Sequence, residues 1–395
     1  MTTPLLPVET AFTRLLGLAT AAPTERIALR AAVGRWAAEA ITARRTQPES
    51  DLSAMDGYAI RHADLPGPWT VIGESAAGHP FDGNVQAGEA VRIFTGAALP
   101  PGTDTVMVQE EARRDGDTLH LDGEGPGHHG RNVRPRGLDF AENDTLIAAG
   151  DRLTPARLAL AAVGGHGDIA VHRPARVAIA ATGDELVSPG TPLRAGQLPE
   201  SNGTMLATLM ADLPCEVIDL GILPDNRADL EAAFAAVDAD ILVTTGGASV
   251  GDHDLVRPAL EACGAQIDFW RIALRPGKPM MAGKLRDTVV LGLPGNPVSA
   301  FVTATLFLRP LIAKIGGASD PRPRTVTAPL GEDLAPNGPR TDYMRAARID
   351  GVVHAAAIQD SSMLRTLARA DCLIVRAPHD PARTKGDSVE ILPLA

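Results

Sequence analysis

Asp240-Ile-Leu-Val-Thr-Thr-Gly-Gly-Ala-Ser-Val-Gly-Asp-His-Asp254 is the stretch that decides the fold. Ile241 to Val243 is a short apolar run, of the kind a parallel strand carries when both its faces are covered. Gly246 and Gly247 then leave backbone amides open to close approach by an anion. Ser249, Asp252 and Asp254 follow in the same loop. Open α/β sheets bind ligands at loops leaving the carboxyl ends of their parallel strands. The stretch therefore reads as a phosphate-type site with carboxylates beside it, which points to chemistry on a phosphorylated substrate with a divalent metal.

The flanking sequence repeats the pattern. Strands are expected at Val177–Ala181, Glu216–Leu220, Asp240–Thr244, Ile267–Ile272 and Thr288–Leu291. Helices are expected at Gly203–Asp212, Arg227–Val237, Asp254–Cys263 and Pro297–Ile315. Alternation of this kind with short connections specifies a doubly wound sheet. Asn296 and Pro297 are a helix start signal, and Pro310 is expected to kink the same helix.

Outside this block the pattern changes. Val8–Ala19, Ala31–Ala40 and Thr154–Val163 read as helices, and Ile27–Leu29 as a short strand. From about Arg44 to Glu142 short apolar pieces broken by Gly, Pro and Asp indicate a mostly β region. Pro321-Arg-Pro-Arg reads as a linker. Beyond it Thr325–Ala328, Ala346–Ile349, Val352–Ile358, Cys372–Arg376 and Ser388–Leu392 read as strands of a small barrel or sandwich. The expected division is 1–42 with 143–173 as a helical linking unit, 43–142 as a β unit, 174–317 as the α/β unit and 318–395 as the small β unit.

Composition bounds the function. A chain of 395 residues exceeds one ordinary core. The net charge of −11, spread along the chain, argues against nucleic acid as a partner. Three scattered cysteines, Cys215, Cys263 and Cys372, read as reduced thiols rather than as a disulfide framework or zinc site. The amino terminus does not read as a signal peptide, and no apolar run reaches the ~18 residues of a membrane span. A soluble, cytoplasmic protein is expected.

Five more segments carry candidate chemistry. Ala180-Ala-Thr-Gly-Asp-Glu-Leu-Val187 puts Thr182 and Gly183 in a turn, with Asp184 and Glu185 at its mouth. Asp225 ends the second strand, as either a helix cap or a further acid. Together with Glu185, Asp252 and Asp254 it makes a hard-oxygen set suited to magnesium shared with substrate phosphates. Arg275 and Lys278, after the fourth strand, supply the positive pocket an acidic chain needs for an anion. Leu291-Gly-Leu-Pro-Gly-Asn-Pro-Val-Ser-Ala300 opens a helix whose amino end suits an anion, with Pro294 and Pro297 stiffening the loop. In the β region Ser53-Ala-Met-Asp-Gly-Tyr-Ala59 carries Asp56 in a tight turn. Gly125-Pro-Gly-His-His-Gly130 matches G-x-G-x-x-G, but without the strand–helix context that motif requires, and no Walker A sequence occurs.

Taken in order, SAMDGYA (53–59), ATGDEL (181–186), TGGASVGDHD (245–254), PGKP (276–279) and LPGNPVS (293–299) closely resemble the MoeA/gephyrin E-domain family, the molybdopterin molybdenumtransferases. RIFTGAALPPGTDTVMVQE (92–110) and NVRPRG (132–137) extend the likeness along nearly the whole chain. The resemblance implies an α/β multidomain fold: a doubly wound MogA-like α/β domain, a mostly β domain, a helical linking domain and a C-terminal small β-barrel. It implies molybdenum insertion into adenylylated molybdopterin from molybdate, with release of AMP. It also implies Mg2+, a homodimer whose site lies between two subunits, and possible contact with a molybdopterin adenylyltransferase. By position it makes Asp56, Asp139, Glu185, Asp225 and Asp254 catalytic candidates, with Asp56, Glu185, Asp225 and Asp254 as magnesium ligands. Thr182, Gly246, Gly247, Ser249, Arg275, Lys278, Pro294, Pro297, Ser299, Arg345 and Ser361 become substrate-binding candidates. Two positions depart from the family's habit: Arg275 stands where Lys is frequent, and Leu138 stands where an acidic or small residue is frequent. The competing expectations are a molybdopterin adenylyltransferase, a nucleotide pyrophosphatase of the competence-damage type and a non-enzymatic scaffold.

Overall fold

The computed structural model describes residues 5–246 and 255–394. At its centre is a six-stranded sheet whose strands we number β1 (Ala175–Thr182), β2 (Cys215–Leu223), β3 (Ile241–Thr245), β4 (Gln266–Arg271), β5 (Pro279–Leu285) and β6 (Thr288–Leu293). Their spatial order is β2-β1-β3-β6-β5-β4. β2, β1, β3 and β6 are mutually parallel, while β5 runs antiparallel to both β6 and β4. The strand β5 is one the sequence reading lacks: no element is expected over Met280–Leu285, and a short turn at Arg286-Asp287 returns it as a hairpin onto β6.

Alternate residues on these strands serve different cores, as the two-residue period of a strand requires. Val177, Ile179, Ile241, Val243, Val289 and Leu291 face one layer, with Phe307, Leu308 and Leu311. Ala178, Leu242 and Val290 face the other, with Leu230, Phe234, Ala259 and Leu260. Burial on both faces is why the strands read as continuous apolar runs rather than alternating ones.

Helix Pro297–Ile315 runs through the first of these cores. It starts as α-helix (Pro297–Thr303), widens to a π turn (Ala304–Leu308) and resumes as α-helix (Arg309–Ile315). The wider turn precedes Pro310, so the helix continues past a residue that lacks an N–H to donate. At 19 residues it is long and apolar enough to cross a membrane, a length the sequence reading credited to no segment; most of it is buried within the protein as a core helix.

Helix Val8–Leu18 buries Ala11, Phe12 and Leu15 in the same core, with the Phe12 and Phe307 rings 6.4 Å apart. It thus packs on the central sheet and not with the linking unit to which residues 1–42 were assigned. The linking segments themselves pair as strands: Thr24–Ala28 with Asp168–His172, and Ile41–Thr42 with Thr145–Ile147. The helix expected over Ala31–Ala40 does not form. Its backbone groups bond to distant ones instead: Gly34 N to Leu153 O, Ala37 N to Asp151 O and Ala38 N to Ala170 O. Helix propensity is a weak prior, and tertiary pairing overrides it here.

Residues 57–121 hold a second six-stranded sheet, built from Gly57–Ile60, Trp69–Ser75, Glu89–Ile93, Thr105–Val108, Ala112–Asp115 and Thr118–Leu121. In the C-terminal segment Val352–Ala355, Thr341–Ile349, Cys372–Arg376, Ser388–Pro393 and Val326–Pro329 lie side by side in that order. A bridge from Leu330 to Val353 brings the last of these back to the first. All three cysteines are unpaired. Burial pushes the Cys215 thiol up to about 11 and the Cys372 thiol up to about 12, so neither is a thiolate at neutral pH.

Phe307 tests the shared core. Phe307→Ala is expected to cost about 3–5 kcal/mol, read as a lowered denaturation midpoint of the transition that also reports the environment of Phe12.

Candidate functional site

Register places the candidate residues. Thr182 on β1 pairs with Leu223 on β2, Ala181 with Thr245 on β3, and Thr245 with Leu293 on β6. The four parallel strands therefore end in one row, and the loops bearing Asp225, Asp184 and Glu185, Gly246, and Pro294 to Asn296 leave the same edge. β5 runs the other way, with Met281 opposite Gly292 and Pro279 opposite Arg271. Its start, the Arg275–Lys278 turn, joins that edge too. Along the edge the order is acids, then glycine backbone, then a helix start, then bases. Gly247, Ser249, Asp252 and Asp254 lie outside the described residues.

At the acidic end Asp184 Oδ1 accepts from the Asp225 amide at 3.0 Å. The N-cap of the next helix is Asn226, whose Oδ1 accepts from the amides of Ala228 and Asp229. Asp225 is therefore not the cap, which was its alternative reading. Partial burial, then the charges of Asp184 and Glu185, raise the Asp225 carboxyl above its ordinary range. The Glu185 carboxylate folds over Gly183: a Cβ there would stand 2.6 Å from Oε2. Among the described residues no group of three or more His, Cys, Asp or Glu side chains stands ready to hold a metal. Asp184, Glu185 and Asp225 still carry like charges in proximity, the electrostatic condition that a cation relieves.

In the middle of the edge, Gly246 has φ +88°, and a Cβ would stand 2.4 Å from the Thr182 carbonyl oxygen. No residue but glycine fits there. Thr182 is itself buried, its hydroxyl donating to Thr245 O at 3.4 Å. Pro294 and Ser299 are buried, and Pro297 is half-buried. The helix start is already occupied. Asn296 does not cap its own helix; its Nδ2 donates to Ser361 Oγ at 3.2 Å, and Val298 N donates to Ser361 O at 3.3 Å. Residue Ser361, more than sixty positions away, thus covers the amide that the sequence reading offered to an anion.

At the basic end Lys278 is exposed, and Arg275 pairs with the buried Asp342. This partner holds the guanidinium charge and raises its pKa. Leu274–Arg275 pairs as a strand with Thr341–Asp342 of the C-terminal sheet, while Pro279 begins β5. The basic turn is therefore stitched between two sheets. Gly277 (φ +114°) lies against the helix, where a Cβ would stand 2.6 Å from Thr303 Cγ2. Arg345, an expected substrate ligand, is 1% exposed. It donates from Nη1 to Asp360 O at 2.8 Å, and its Nε has no partner among the described residues. In this structure it props the loop that carries Ser361 and does not open onto solvent.

Asp56 and Asp139 are held within the amino-terminal half. Asp56 Oδ1 accepts from the Thr95 amide and hydroxyl at 2.7 Å each. Those bonds, with Arg92 nearby, keep its carboxyl below the usual range. Asp139 is exposed, with its amide bonded to Gln47 O. Sequence reasoning missed Asp342 and the Glu200–Asn202 segment. Glu-Ser-Asn before a helical run is a capping signature that could have marked the latter. Glu200 Oε1 indeed accepts from Gly203 N at 2.8 Å, and Asn202 Nδ2 donates to Gly295 O at 2.8 Å.

Residues 6–165 match the family described as MoeA N-terminal region (domain I and II), 178–314 a probable molybdopterin binding domain, and 327–394 the MoeA C-terminal region (domain IV). A molybdopterin molybdenumtransferase of Haemophilus influenzae is 39% identical over 94% of this chain and 94% of its own. Another from a Nostoc species is 35% identical over 94% of this chain and 89% of its own. The crystal structure of the molybdopterin biosynthesis moeA protein from Pyrococcus horikoshii OT3 superposes with a TM-score of 0.85 at 27% identity, covering 99% of this chain and all of that one.

The raised Asp225 carboxyl fixes the sign of a pH effect. A carboxyl whose folded pKa lies above its unfolded value costs stability above the folded pKa, and that cost vanishes below the unfolded one. Asp225→Asn is expected to melt at the same temperature as the parent or higher at pH 7. The difference should disappear as the pH falls through the carboxylate range; a clear loss of stability at pH 7 would contradict the charge crowding.

Proposed function

This chain belongs to the MoeA family of molybdopterin molybdenumtransferases and inserts molybdenum in molybdenum cofactor biosynthesis; on that premise we propose that its substrate is adenylylated molybdopterin, that molybdate supplies the metal, and that AMP leaves. The observation that carries the finer reading is the order along the sheet edge. A pyrophosphate-linked dithiolene substrate and an oxyanion need cation-binding acids at one end and bases at the other, with close backbone approach between them.

Lys278 and Arg275 would hold the molybdate oxyanion, with the Ser299 and Ser361 hydroxyls at the adjoining helix start. Asp342 positions Arg275, so its charge is fixed before substrate arrives. Gly246 lets the pyrophosphate approach the backbone without a side chain between them. Glu185 and Asp225, with Asp56 and Asp254, would hold Mg2+, which suits hard oxygen donors and like-charged carboxylates in proximity. When bound, the ion supplies charge neutralisation at the pyrophosphate.

Among the described residues Asp56 and Asp139 bond only within the amino-terminal half of their own chain. Their contribution fits a homodimer in which one subunit's β sheet faces the other's central-sheet edge. Three unpaired cysteines suit a reducing cytoplasm. A molybdopterin adenylyltransferase is the natural supplier of the substrate, because its product is the adenylylated pterin.

The test is AMP release from adenylylated molybdopterin with magnesium, with and without molybdate. The expected result is AMP release that requires molybdate and leaves molybdenum in the pterin product. Asp56→Asn should reduce it by about 10- to 100-fold, with little loss of stability. Release indifferent to molybdate would identify a hydrolase instead.

A further inference from the structure

A cavity of about 340 Å³ opens beside β1 and β2, next to the acidic end of the edge and used by none of the chemistry above. Ile179, Ala181, Ala207 and Ile222 line it with apolar surface. Its polar groups include two carboxylates, Glu200 and Asp219, and no Arg, Lys or His. Glu200 is 9% exposed, and its Oε1 accepts from Gly203 N at 2.8 Å. Its Oε2 accepts no hydrogen bond from the described residues. A buried carboxylate with spare acceptor capacity is costly unless a donor fills it.

The cavity wall is tied to the acid loop. Leu186–Val187 and Leu198–Pro199 pair as parallel strands. Leu198 N donates to Glu185 O and Glu200 N to Val187 O, both at 2.8 Å. The backbone that carries Glu200 is therefore fixed to the segment that follows Glu185.

We propose that this cavity receives the pterin ring of the substrate, with Glu200 accepting from the adjacent N–H groups of its 2-amino-4-oxopyrimidine edge. This rests on the molybdopterin reading above. The acids exclude the phosphates and molybdate. Adenine fits poorly, because its amino group lies next to a ring nitrogen that is itself an acceptor and would face the carboxylate. The pterin edge presents two neighbouring donors and no charge, and apolar walls suit its flat rings. Guanine presents the same edge, so a guanine nucleotide is the rival source of this chemistry.

The experiment is anaerobic titration calorimetry of the full chain with molybdopterin and, separately, with GMP. It compares the parent with Glu200→Gln, which can keep the Gly203 bond, and with Ala207→Phe, which fills the cavity and leaves Glu200 intact. Both variants are expected to weaken molybdopterin binding by about tenfold or more while molybdate affinity is unchanged. Parental molybdopterin affinity in either folded variant overturns the assignment. GMP binding tighter than molybdopterin, and lost in Glu200→Gln, overturns it in favour of a guanine nucleotide. Failure of the parent to bind molybdopterin would instead reject the substrate reading on which the assignment rests.

Discussion

A sheet covered on both faces can offer chemistry only at its ends, and that constraint organises this protein. Leu242 and Val290 are committed to one layer, and Val243 and Leu291 to the other. On the inner strands β3 and β6 charged groups are then confined to the flanking loops. The shared register of β2, β1, β3 and β6 delivers those loops to one row. The antiparallel β5 adds the basic turn to that row, because reversing a strand moves its start to the edge where its neighbours finish.

The site is also held from outside the central sheet. Asp342 fixes Arg275, Ser361 fixes Asn296 and covers Val298 N, and Arg345 fixes the loop that carries Ser361. A half-exposed arginine on a buried carboxylate is more constrained than a surface pair, since the buried partner has no water to turn to. The small C-terminal unit thus acts as a brace for the basic half of the edge, while the acidic half is braced by the 186–200 segment.

The α/β pattern was legible because apolar runs and glycine turns obey local rules. The ends of β1 and β3 and the start at Pro297 fall within two residues of expectation. What was not legible depended on partners far away. Ala31–Ala40 has a helical composition, but its backbone bonds to residues 151, 153 and 170. β5 was masked by the Pro-Gly-Lys-Pro turn that precedes it. Among the candidate residues, the placement of Glu185, Asp225, Arg275 and Lys278 on loops at one sheet edge could be read from the strand ends. The burial of Arg345, the Asp342 pairing and the covering of the helix start by Ser361 are tertiary facts, with no local periodicity to announce them.

The packing of Phe12 against Phe307 has a consequence for synthesis. The helix at residues 8–18 leaves the ribosome long before Phe307, which is made almost three hundred residues later. At ordinary elongation rates that interval is on the order of 15–60 s. Throughout it the apolar stripe of Ala11, Phe12 and Leu15 lacks Phe307 and the helix around it. The nascent chain must shield this apolar stripe in another way, by a transient non-native contact or a chaperone. The central core therefore cannot close until the helix ending at Ile315 has been made.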